Sequence, residues 1–261
     1  MTGAEGYGPR QAFGRAAGTY DEHACVQTRV ADELLDRLVA WPGLSPARAL
    51  DLGAGTVPLA GRLREHWPET RWLALDIALP MLQEARRLER LDEQLRAVCG
   101  DAMALPLADQ SLDLVISSFA LQWCDDIAAT VAELSRVLRP GGVLALALPV
   151  AGTLSELADS WAEVDDQPHT RPLAATEDWL RELTEQGFLM ETRREVIRQH
   201  YPDLNAIGRM LRGTGAHHVD RRASGLTGRR KLTALRQAYE RRREPPGLPV
   251  TWEVMSVIGC K

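Results

Sequence analysis

The amino-acid sequence predicts an α/β fold: a doubly wound, mostly parallel sheet of seven strands with a helical lid. Short apolar runs alternate with helical patterns from residue 46 to residue 150, which is typical of a doubly wound parallel sheet. The run at residues 143–149 is continuously apolar, as expected for a strand that is covered on both faces. After residue 150 this strict alternation ends, and two more strand-like runs are separated by helical insertions.

The predicted core domain covers residues 46–150. Its strands are expected at about residues 47–52, 71–77, 95–101, 112–119 and 143–149, separated by helices at about 57–66, 80–91 and 126–138. Residues 139–142 (RPGG) predict a turn before the fifth strand.

Segments on both sides of the core are predicted to be mainly helical. Residues 1–45 form an N-terminal helical segment, because apolar residues recur at three- and four-residue spacing between Arg10 and Val39. After the core, Thr176 is expected to cap a helix that Gly187 ends. The other segments are a lid insertion (151–175), a core helix and strand (176–202), a basic helical lid (203–248) and the final core strand (249–261).

Composition argues against several classes of function. The net charge is −5 over 261 residues, so the chain lacks the basic excess of nucleic-acid-binding proteins. The four cysteines are far apart and form no C-x-x-C pair, which favours neither a zinc site nor a disulfide framework. The sequence shows no signal peptide and no apolar run of transmembrane length. We therefore expect a soluble, cytoplasmic protein with no nucleic-acid or membrane partner and no bound metal.

A glycine-rich turn follows the first predicted strand. Asp51 is followed by Gly53 and Gly55, and a helical pattern then begins. Glycine lets the backbone approach a ligand closely, and the helix N-terminus offers free N–H groups. A dinucleotide-binding turn would carry a third glycine where this chain has Pro58. Asp51 would repel a pyrophosphate but suits an ammonium group, so the turn favours S-adenosylmethionine over NAD.

Acidic residues end the first three predicted strands, at Asp51, Asp76 and Asp101. Because ligands of open parallel sheets bind at the carboxyl ends of the strands, these side chains are expected to surround one site. Asp76 can accept hydrogen bonds from both hydroxyls of a ribose, and Asp101 can accept one from the amino group of adenine. Ile77 and Met103, which lie just after these acids, can enclose the adenine ring.

Five motifs together resemble the class I S-adenosylmethionine-dependent methyltransferases, a Rossmann-like superfamily. They are residues 50–55 (LDLGAG), 75–77 (LDI), 100–106 (GDAMALP), 119–123 (FALQW) and 138–142 (LRPGG). In these enzymes a third glycine usually stands two residues after the second glycine of the turn, whereas this chain has Val57. We expect this change to alter the backbone path beside the cofactor without abolishing binding.

The flanking segments resemble one branch of that superfamily, the malonyl-[acyl-carrier-protein] O-methyltransferases of biotin synthesis. The similar segments include residues 13–20 (FGRAAGTY), 152–157 (GTLSEL) and 211–217 (LRGTGAH). The resemblance implies methylation of the free carboxylate of a malonyl thioester, malonyl-acyl carrier protein or malonyl-CoA, to give an ester that is extended toward pimelate. The family has Lys where this chain has Arg212, a change that keeps the charge but not the geometry.

The resemblance and the strand-end pattern together give the expected site residues. Those expected to bind the cofactor are Gln27, Asp51, Gly53, Gly55, Asp76, Ile77, Asp101, Ala102, Met103, Ser117 and Phe119. Those expected to bind the acceptor are Gln122, Trp123, His169 and His217, with Arg171 as a further candidate. Tyr20 is expected to close the site, and Arg209 and Arg212 to hold the substrate carboxylate, because Arg binds carboxylates bidentately. That carboxylate is ionised at pH 7, so no general base is expected.

The second lid segment carries a run of basic residues, which can attract an acidic acyl carrier protein. The run comprises Arg221, Arg222, Arg229, Arg230, Lys231, Arg236, Arg241, Arg242 and Arg243. A solvated helix face explains the run equally well. Three other functions stay open: methylation of another small carboxylic acid or natural product, cofactor binding without catalysis, and a Rossmann oxidoreductase.

Overall fold

A single seven-stranded sheet forms the centre of the protein, whose computed structural model describes residues 8–216 and 228–261. The strand order is β3-β2-β1-β4-β5-β7-β6; β1 to β5 pair in parallel, and β7 is antiparallel to both β5 and β6. The strands are β1 (Arg48–Leu52), β2 (Arg71–Asp76), β3 (Leu95–Cys99), β4 (Leu112–Ser118), β5 (Leu138–Pro149), β6 (Leu189–Tyr201) and β7 (Leu248–Cys260). The predicted doubly wound, mostly parallel sheet is confirmed. The strand order reverses between β1 and β4, which is the position where sheets of this class bind ligands.

Helices cover both faces of the sheet. They are α1 (Pro9–Ala16), α2 (Tyr20–His23), α3 (Cys25–Val39), α4 (Ala60–His66), α5 (Leu79–Arg87), α6 (Ile127–Val137), α7 (Ser155–Ala162), α8 (Thr176–Glu185), α9 (Leu204–Gly213) and α10 (Arg229–Glu240), with a short 3₁₀ turn at Leu121–Trp123. None of the helices in the described ranges is long and apolar enough to cross a membrane.

The core has two layers, one on each face of the sheet. Along β4, Leu114 and Ile116 face one apolar cluster and Val115 faces the other, as the two-residue period of a strand requires. The first cluster includes Leu34 and Leu35 of α3, and the second includes Leu134 of α6. Because both faces of β5 are buried, its sequence from Val143 to Leu148 is a continuous apolar run rather than an alternating one.

Some predicted boundaries were wrong for local reasons. The helix expected from residue 57 begins at Ala60, because the preceding residues belong to the turn. The helix expected to reach residue 91 ends at Arg87, and Glu89 is left-handed with φ of +56°. The turn predicted at residues 139–142 is instead an irregular start of β5, where the register with β4 shifts. Thr176 is the first helical residue rather than the cap, whereas Gly187, with φ of +85°, follows the helix end as predicted.

The N-terminal helices lie over the strand ends, and ion pairs join α10 to the chain that follows α7. Gly14 of α1 packs so closely on α5 that a Cβ there would lie 3.2 Å from Cγ of Pro80. Lys231 of α10 forms a 2.7 Å ion pair with Asp165, which follows α7. Arg242 at the end of α10 forms a 2.9 Å ion pair with Glu163. Segments distant in sequence are thereby joined in pairs, α1 with α5 and α10 with the chain after α7.

Candidate active site

The glycine turn after β1 depends on both of its glycines. Gly53 and Gly55 are left-handed, with φ of +71° and +54°, a region that glycine enters without steric cost. The N–H groups of Gly53 and Ala54 donate to the carbonyl oxygen of Leu75 at 2.7 and 3.0 Å. A Cβ at Gly53 would lie only 2.0 Å from Cβ of Ala120, whereas one at Gly55 would meet open space. Gly53 is therefore needed for close packing as well as for its φ, and Gly55 for its φ.

Val57 adopts the conformation that a glycine would favour. Its φ is +53° and its side chain is fully buried, although a β-branched residue in this region is strained. Its N–H donates to the carbonyl oxygen of Ala54 at 2.8 Å, which closes the turn. Val57 is therefore left-handed where a third glycine usually stands, at a cost in strain.

Asp76 is held against the turn at the end of β2. Its carboxylate accepts hydrogen bonds from the N–H of Gly55 at 2.9 Å and from the N–H of Ala78 at 2.7 Å. Burial raises the pKa of Asp76, and these two hydrogen bonds lower it. The hydrogen bonds fix the orientation of the carboxylate beside the turn.

A small cavity beside the turn, the turn cavity, contains two polar groups without partners. Its lining includes Tyr20, Gln27, Asp51, Gly53 and Ser118. Asp51 is 6% exposed and makes no hydrogen bond or ion pair with the described residues. Burial, together with the negative charge of Asp76, raises the pKa of Asp51 to about 7. The Ser118 hydroxyl is buried and also makes no hydrogen bond within the described chain. Buried polar groups normally have hydrogen-bond partners, so these two groups are available to a polar ligand.

A larger cavity of 340 Å³, the strand-tip cavity, lies at the ends of β1, β2 and β4. The residues expected to surround ribose and adenine all line it: Asp76, Ile77, Asp101, Ala102 and Met103. The Asp101 carboxylate accepts a 2.9 Å hydrogen bond from the N–H of Met103. The sequence pattern had therefore selected side chains that share one cavity.

Sequence reasoning missed the N-terminal residues that cover the strand-tip cavity. Gly8, Pro9, Arg10 and Phe13 line it on the side away from the sheet. Of these four residues, only Phe13 lies in the segment 13–20 whose resemblance to known sequences signals a role.

The Ser117 side chain lies away from the two cavities beside the strand ends. Its hydroxyl donates to the carbonyl oxygen of Leu52 at 2.8 Å, and it lines neither the turn cavity nor the strand-tip cavity. Ser118 lines the turn cavity instead. Because neighbouring strand residues face opposite sides, an error of one position moves the side chain out of the site.

The third cavity, the lid cavity, has a volume of 380 Å³ and lies beneath α7, α9 and α10. Its lining is mainly apolar and includes Leu157 and Ile207. The acceptor candidates Gln122, Trp123 and His169 line it, together with Arg171 and Arg212. His217 lies outside the described residues. The cavity thus combines apolar walls with a few polar side chains, as binding sites for organic ligands commonly do.

Tyr20 lies where the three cavities meet. Among the described residues it alone lines the turn, strand-tip and lid cavities. Burial raises the pKa of the Tyr20 hydroxyl far above its usual value, and the carboxylates of Asp76 and Asp21 raise it further. The hydroxyl therefore stays protonated at neutral pH and can donate a hydrogen bond.

Aromatic rings surround this junction. Phe13 packs edge-on against Trp123, with ring centroids 5.4 Å apart, and lies 6.5 Å from Tyr20. Phe119, which lines both larger cavities, is left-handed with φ of +52°. Such strain in a non-glycine residue is common at functional sites. All four rings line both the strand-tip cavity and the lid cavity.

Several polar atoms of the lid cavity also have no partner in the described chain. They are Oε1 of Gln122 and the indole nitrogens of Trp123 and Trp252. Nε2 of His169 lies 2.7 Å from a carboxylate oxygen of Asp165, and the His169 ring stacks on Trp161 at 3.6 Å. Hydrogen bonds from Lys231 and His169 lower the pKa of Asp165 well below its usual value.

The arginine candidates are not equivalent. The Arg171 guanidinium lies 5.7 Å from the centre of the Trp123 ring and forms a 2.6 Å ion pair with Asp125. Arg212 lines the lid cavity, but Arg209 does not. Arg209 lies instead beside an open depression on the outer side of α9. Arg209 is therefore badly placed to hold a carboxylate inside the lid cavity.

The predicted basic run is partly neutralised. Arg241 and Arg242 both pair with Glu163, and Arg243 pairs with Glu240. Arg221 and Arg222 lie outside the described residues. Within residues 8–216 and 228–261, no cluster of His, Cys, Asp and Glu side chains could hold a metal ion.

Known methyltransferases resemble this chain in sequence, and a solved structure resembles it in fold. Residues 50–146 match the family model described as a methyltransferase domain. The chain is 44% identical to the malonyl-[acyl-carrier protein] O-methyltransferase of Alcanivorax borkumensis, over 94% of this chain and 83% of that protein. It is 38% identical to the biotin biosynthesis bifunctional protein BioHC of Cellvibrio japonicus, over 96% of this chain but 49% of that protein. The YcgJ protein from Bacillus subtilis shares the fold, with a TM-score of 0.63 at 18% identity, over 88% of this chain and 98% of that chain.

Proposed function

Because this chain belongs to the malonyl-[acyl-carrier protein] O-methyltransferase family, we propose that it methylates the free carboxylate of malonyl-acyl carrier protein with S-adenosylmethionine. The product would be the methyl ester that primes pimelate synthesis for biotin. The observation that carries the proposal is the position of Tyr20, where a cavity suited to a nucleoside meets a cavity suited to an acyl chain.

The residues around the first two cavities fit S-adenosylmethionine. Asp76 would accept hydrogen bonds from the ribose, and Asp101 would accept one from adenine. Asp51 is a buried carboxylate without a partner among the described residues, and it would pair with the ammonium group of the methionine moiety. The unpartnered Ser118 hydroxyl would bind the same end. A pyrophosphate is disfavoured because Asp51 lies beside the turn.

Bound S-adenosylmethionine would supply an electrophilic methyl group whose bond to sulfur breaks as a carboxylate oxygen forms the new bond, with no proton transferred. The protein's task is then to hold the malonyl carboxylate in line and to exclude water. Positioning of this kind can lower a barrier by roughly 7–11 kcal/mol in well-oriented systems. The raised pKa of Tyr20 agrees with a positioning role rather than that of a base.

Basic side chains of the lid cavity would hold the malonyl carboxylate. Arg171, Arg212 and His169 line that cavity, and Arg171 lies against Trp123 at the junction. A guanidinium binds a carboxylate through two parallel hydrogen bonds. We assign this role first to Arg171, because its side chain is only 12% exposed and interactions with a buried cation are weakly screened.

The proposal is tested by methyl transfer from labelled S-adenosylmethionine to three carrier-protein thioesters. The malonyl form should accept label, whereas the acetyl form, which has no free carboxylate, should not. The succinyl form, with its carboxylate one methylene further out, should react much more slowly. Absence of transfer to the malonyl form, or equal transfer to the malonyl and acetyl forms, would contradict the proposal.

A further inference from the structure

An open depression on the outer surface of α1, α2 and α9 is basic. Its lining residues are Ala12, Arg15, Ala16, Thr19, His23, Arg209, Arg212 and Gly213. Three arginines and a histidine are present, and none of these lining residues is acidic. On a protein with a net charge of −5, such a concentration of positive groups favours an anionic ligand.

Two of these arginines make no ion pair with the described residues. Arg209 and Arg212 are exposed and unpaired within that part of the chain. The arginines at the end of α10 differ, because Arg241 and Arg242 share Glu163. Unpaired guanidinium groups keep their full hydrogen-bonding capacity for a ligand.

Close packing fixes the floor of the depression. A Cβ at Gly213 would lie 1.9 Å from Cδ2 of His23, so the imidazole ring rests directly on the α9 backbone. A Cβ at Gly208 would lie 3.2 Å from a guanidinium nitrogen of Arg212, so the Arg212 side chain folds back along the helix. The two glycines thus allow two basic side chains to lie against α9.

The depression adjoins the lid cavity at Arg212, which lines both. A long ligand with its reactive end in the lid cavity could therefore extend past Arg212 to the outer surface. Arg209 would meet the part of the ligand that lies outside the cavity.

We propose that the basic depression binds the phosphodiester of the phosphopantetheine arm that carries the malonyl group. This inference rests on the proposed function, because it takes the acceptor to be a carrier-protein thioester. The pantetheine portion is uncharged, so the phosphate is the charged group nearest the carrier-protein end. Guanidinium groups match phosphate oxygens in geometry and in charge. Arg209 thereby becomes a phosphate ligand rather than a ligand of the malonyl carboxylate.

Turnover of three thioesters by Arg209→Gln tests the inference. The acceptors are malonyl-carrier protein, malonyl-phosphopantetheine and malonyl-pantetheine, of which only the last has no phosphate. Loss of one charge-assisted contact should lower kcat/KM for the two phosphate-bearing acceptors by about tenfold relative to the effect on malonyl-pantetheine. An equal loss on all three acceptors would overturn the inference, and it would mean that Arg209 acts on the malonyl group or on folding.

Arg71→Gln is the matched control. Arg71 is exposed at the amino end of β2, at the edge of the sheet opposite the site, and pairs with no described residue. This variant should leave kcat/KM for all three acceptors unchanged.

Binding separates this inference from the proposed function. In calorimetry, the wild-type protein should bind phosphopantetheine about tenfold more tightly than pantetheine, and Arg209→Gln should abolish the difference. Equal affinity of the wild type for both compounds would contradict the phosphate site. If the difference is seen but no malonyl thioester is methylated, the proposed reaction fails while the phosphate site stands.

Discussion

Thr56 donates a 2.5 Å hydrogen bond from its hydroxyl to Oδ1 of Asp21, which joins the glycine turn to the helix that begins with Tyr20. Arg90 completes the link, because Nη1 lies 2.8 Å from Oδ2 of Asp21 and donates to the carbonyl oxygen of Thr56 at 2.9 Å. Three segments distant in sequence therefore meet next to the junction of the cavities. Tyr20 is held over the site by its neighbour in the chain.

Asp21→Asn should loosen that link. Asp21 is partly exposed, so losing its charge should weaken the link by about 1 kcal/mol. If that link positions Tyr20 in the transition state, kcat should fall about fivefold. Glu22→Gln is the control, because Glu22 is exposed and makes no ion pair with the described residues. Thr56→Ser keeps the hydroxyl donor and should retain most activity, whereas Thr56→Val should resemble Asp21→Asn. Equal kcat for Asp21→Asn and Glu22→Gln would show that the link does not position Tyr20.

Cofactor affinity should depend on pH through Asp51. Its pKa of about 7 lies above the ordinary value of about 4. The folded protein without cofactor therefore binds a proton at Asp51 more tightly than the unfolded chain does, and the free energy of unfolding falls as pH rises from about 4 to 7. An ammonium ligand requires the ionised form. The Kd for S-adenosylmethionine, measured by calorimetry, should therefore increase up to about tenfold for each pH unit below 7. Asp51→Asn should bind weakly with a flat profile between pH 5 and 8; a flat profile in the wild type would contradict the pairing.

Val57→Gly should be tolerated better than its burial suggests. The substitution removes a buried side chain worth about 1.5–3 kcal/mol, but it also relieves left-handed strain of about 1–3 kcal/mol. Val131 is equally buried in α6 and is not left-handed. Urea unfolding should show that Val57→Gly costs at least about 1 kcal/mol less than Val131→Gly. Equal costs would mean that Val57 is not strained.

Arg171→Gln should raise the KM for malonyl-carrier protein by about tenfold or more, because one charge-assisted contact to the carboxylate is lost. Its partner Asp125 is 81% exposed, so leaving Asp125 unpaired should not unfold the protein. The Kd for S-adenosylmethionine should stay unchanged. Arg181→Gln, which removes an exposed pair with Asp178 on α8, is the control. An unchanged KM in Arg171→Gln would mean that Arg171 does not bind the malonyl carboxylate.

The sheet and the acidic residues that line the strand-tip cavity could be predicted because both depend on short stretches of chain. Asp76 and Asp101 follow apolar runs directly, and parallel strands place such positions at one edge. Local patterns resolve side-chain direction less well, because a shift of one residue reverses it. The sequence predicts Ser117 beside the cofactor, whereas Ser118 lines the turn cavity.

The lining of the lid cavity could not be derived from local pattern, because it depends on how distant segments pack. Arg209 and Arg212 lie on one helix, yet only Arg212 lines the lid cavity. The apolar residues Ile207, Met210 and Leu211 mark the buried face of α9, but their spacing does not tell which cavity that face lines. The link from Asp21 to Arg90 joins residues 69 positions apart (90 − 21). At Val57 the sequence alone shows the departure from the usual glycine, and the structure adds that this residue is left-handed.

The position of the transferred methyl group tests the central claim most directly. Malonyl-carrier protein treated with the enzyme and methyl-labelled S-adenosylmethionine should carry the label as a carboxylate ester. Mild alkaline hydrolysis should then release the label as methanol. Label that stays on the carbon chain after hydrolysis would mean that carbon is methylated, and it would contradict a site that holds the carboxylate at the junction beside Tyr20.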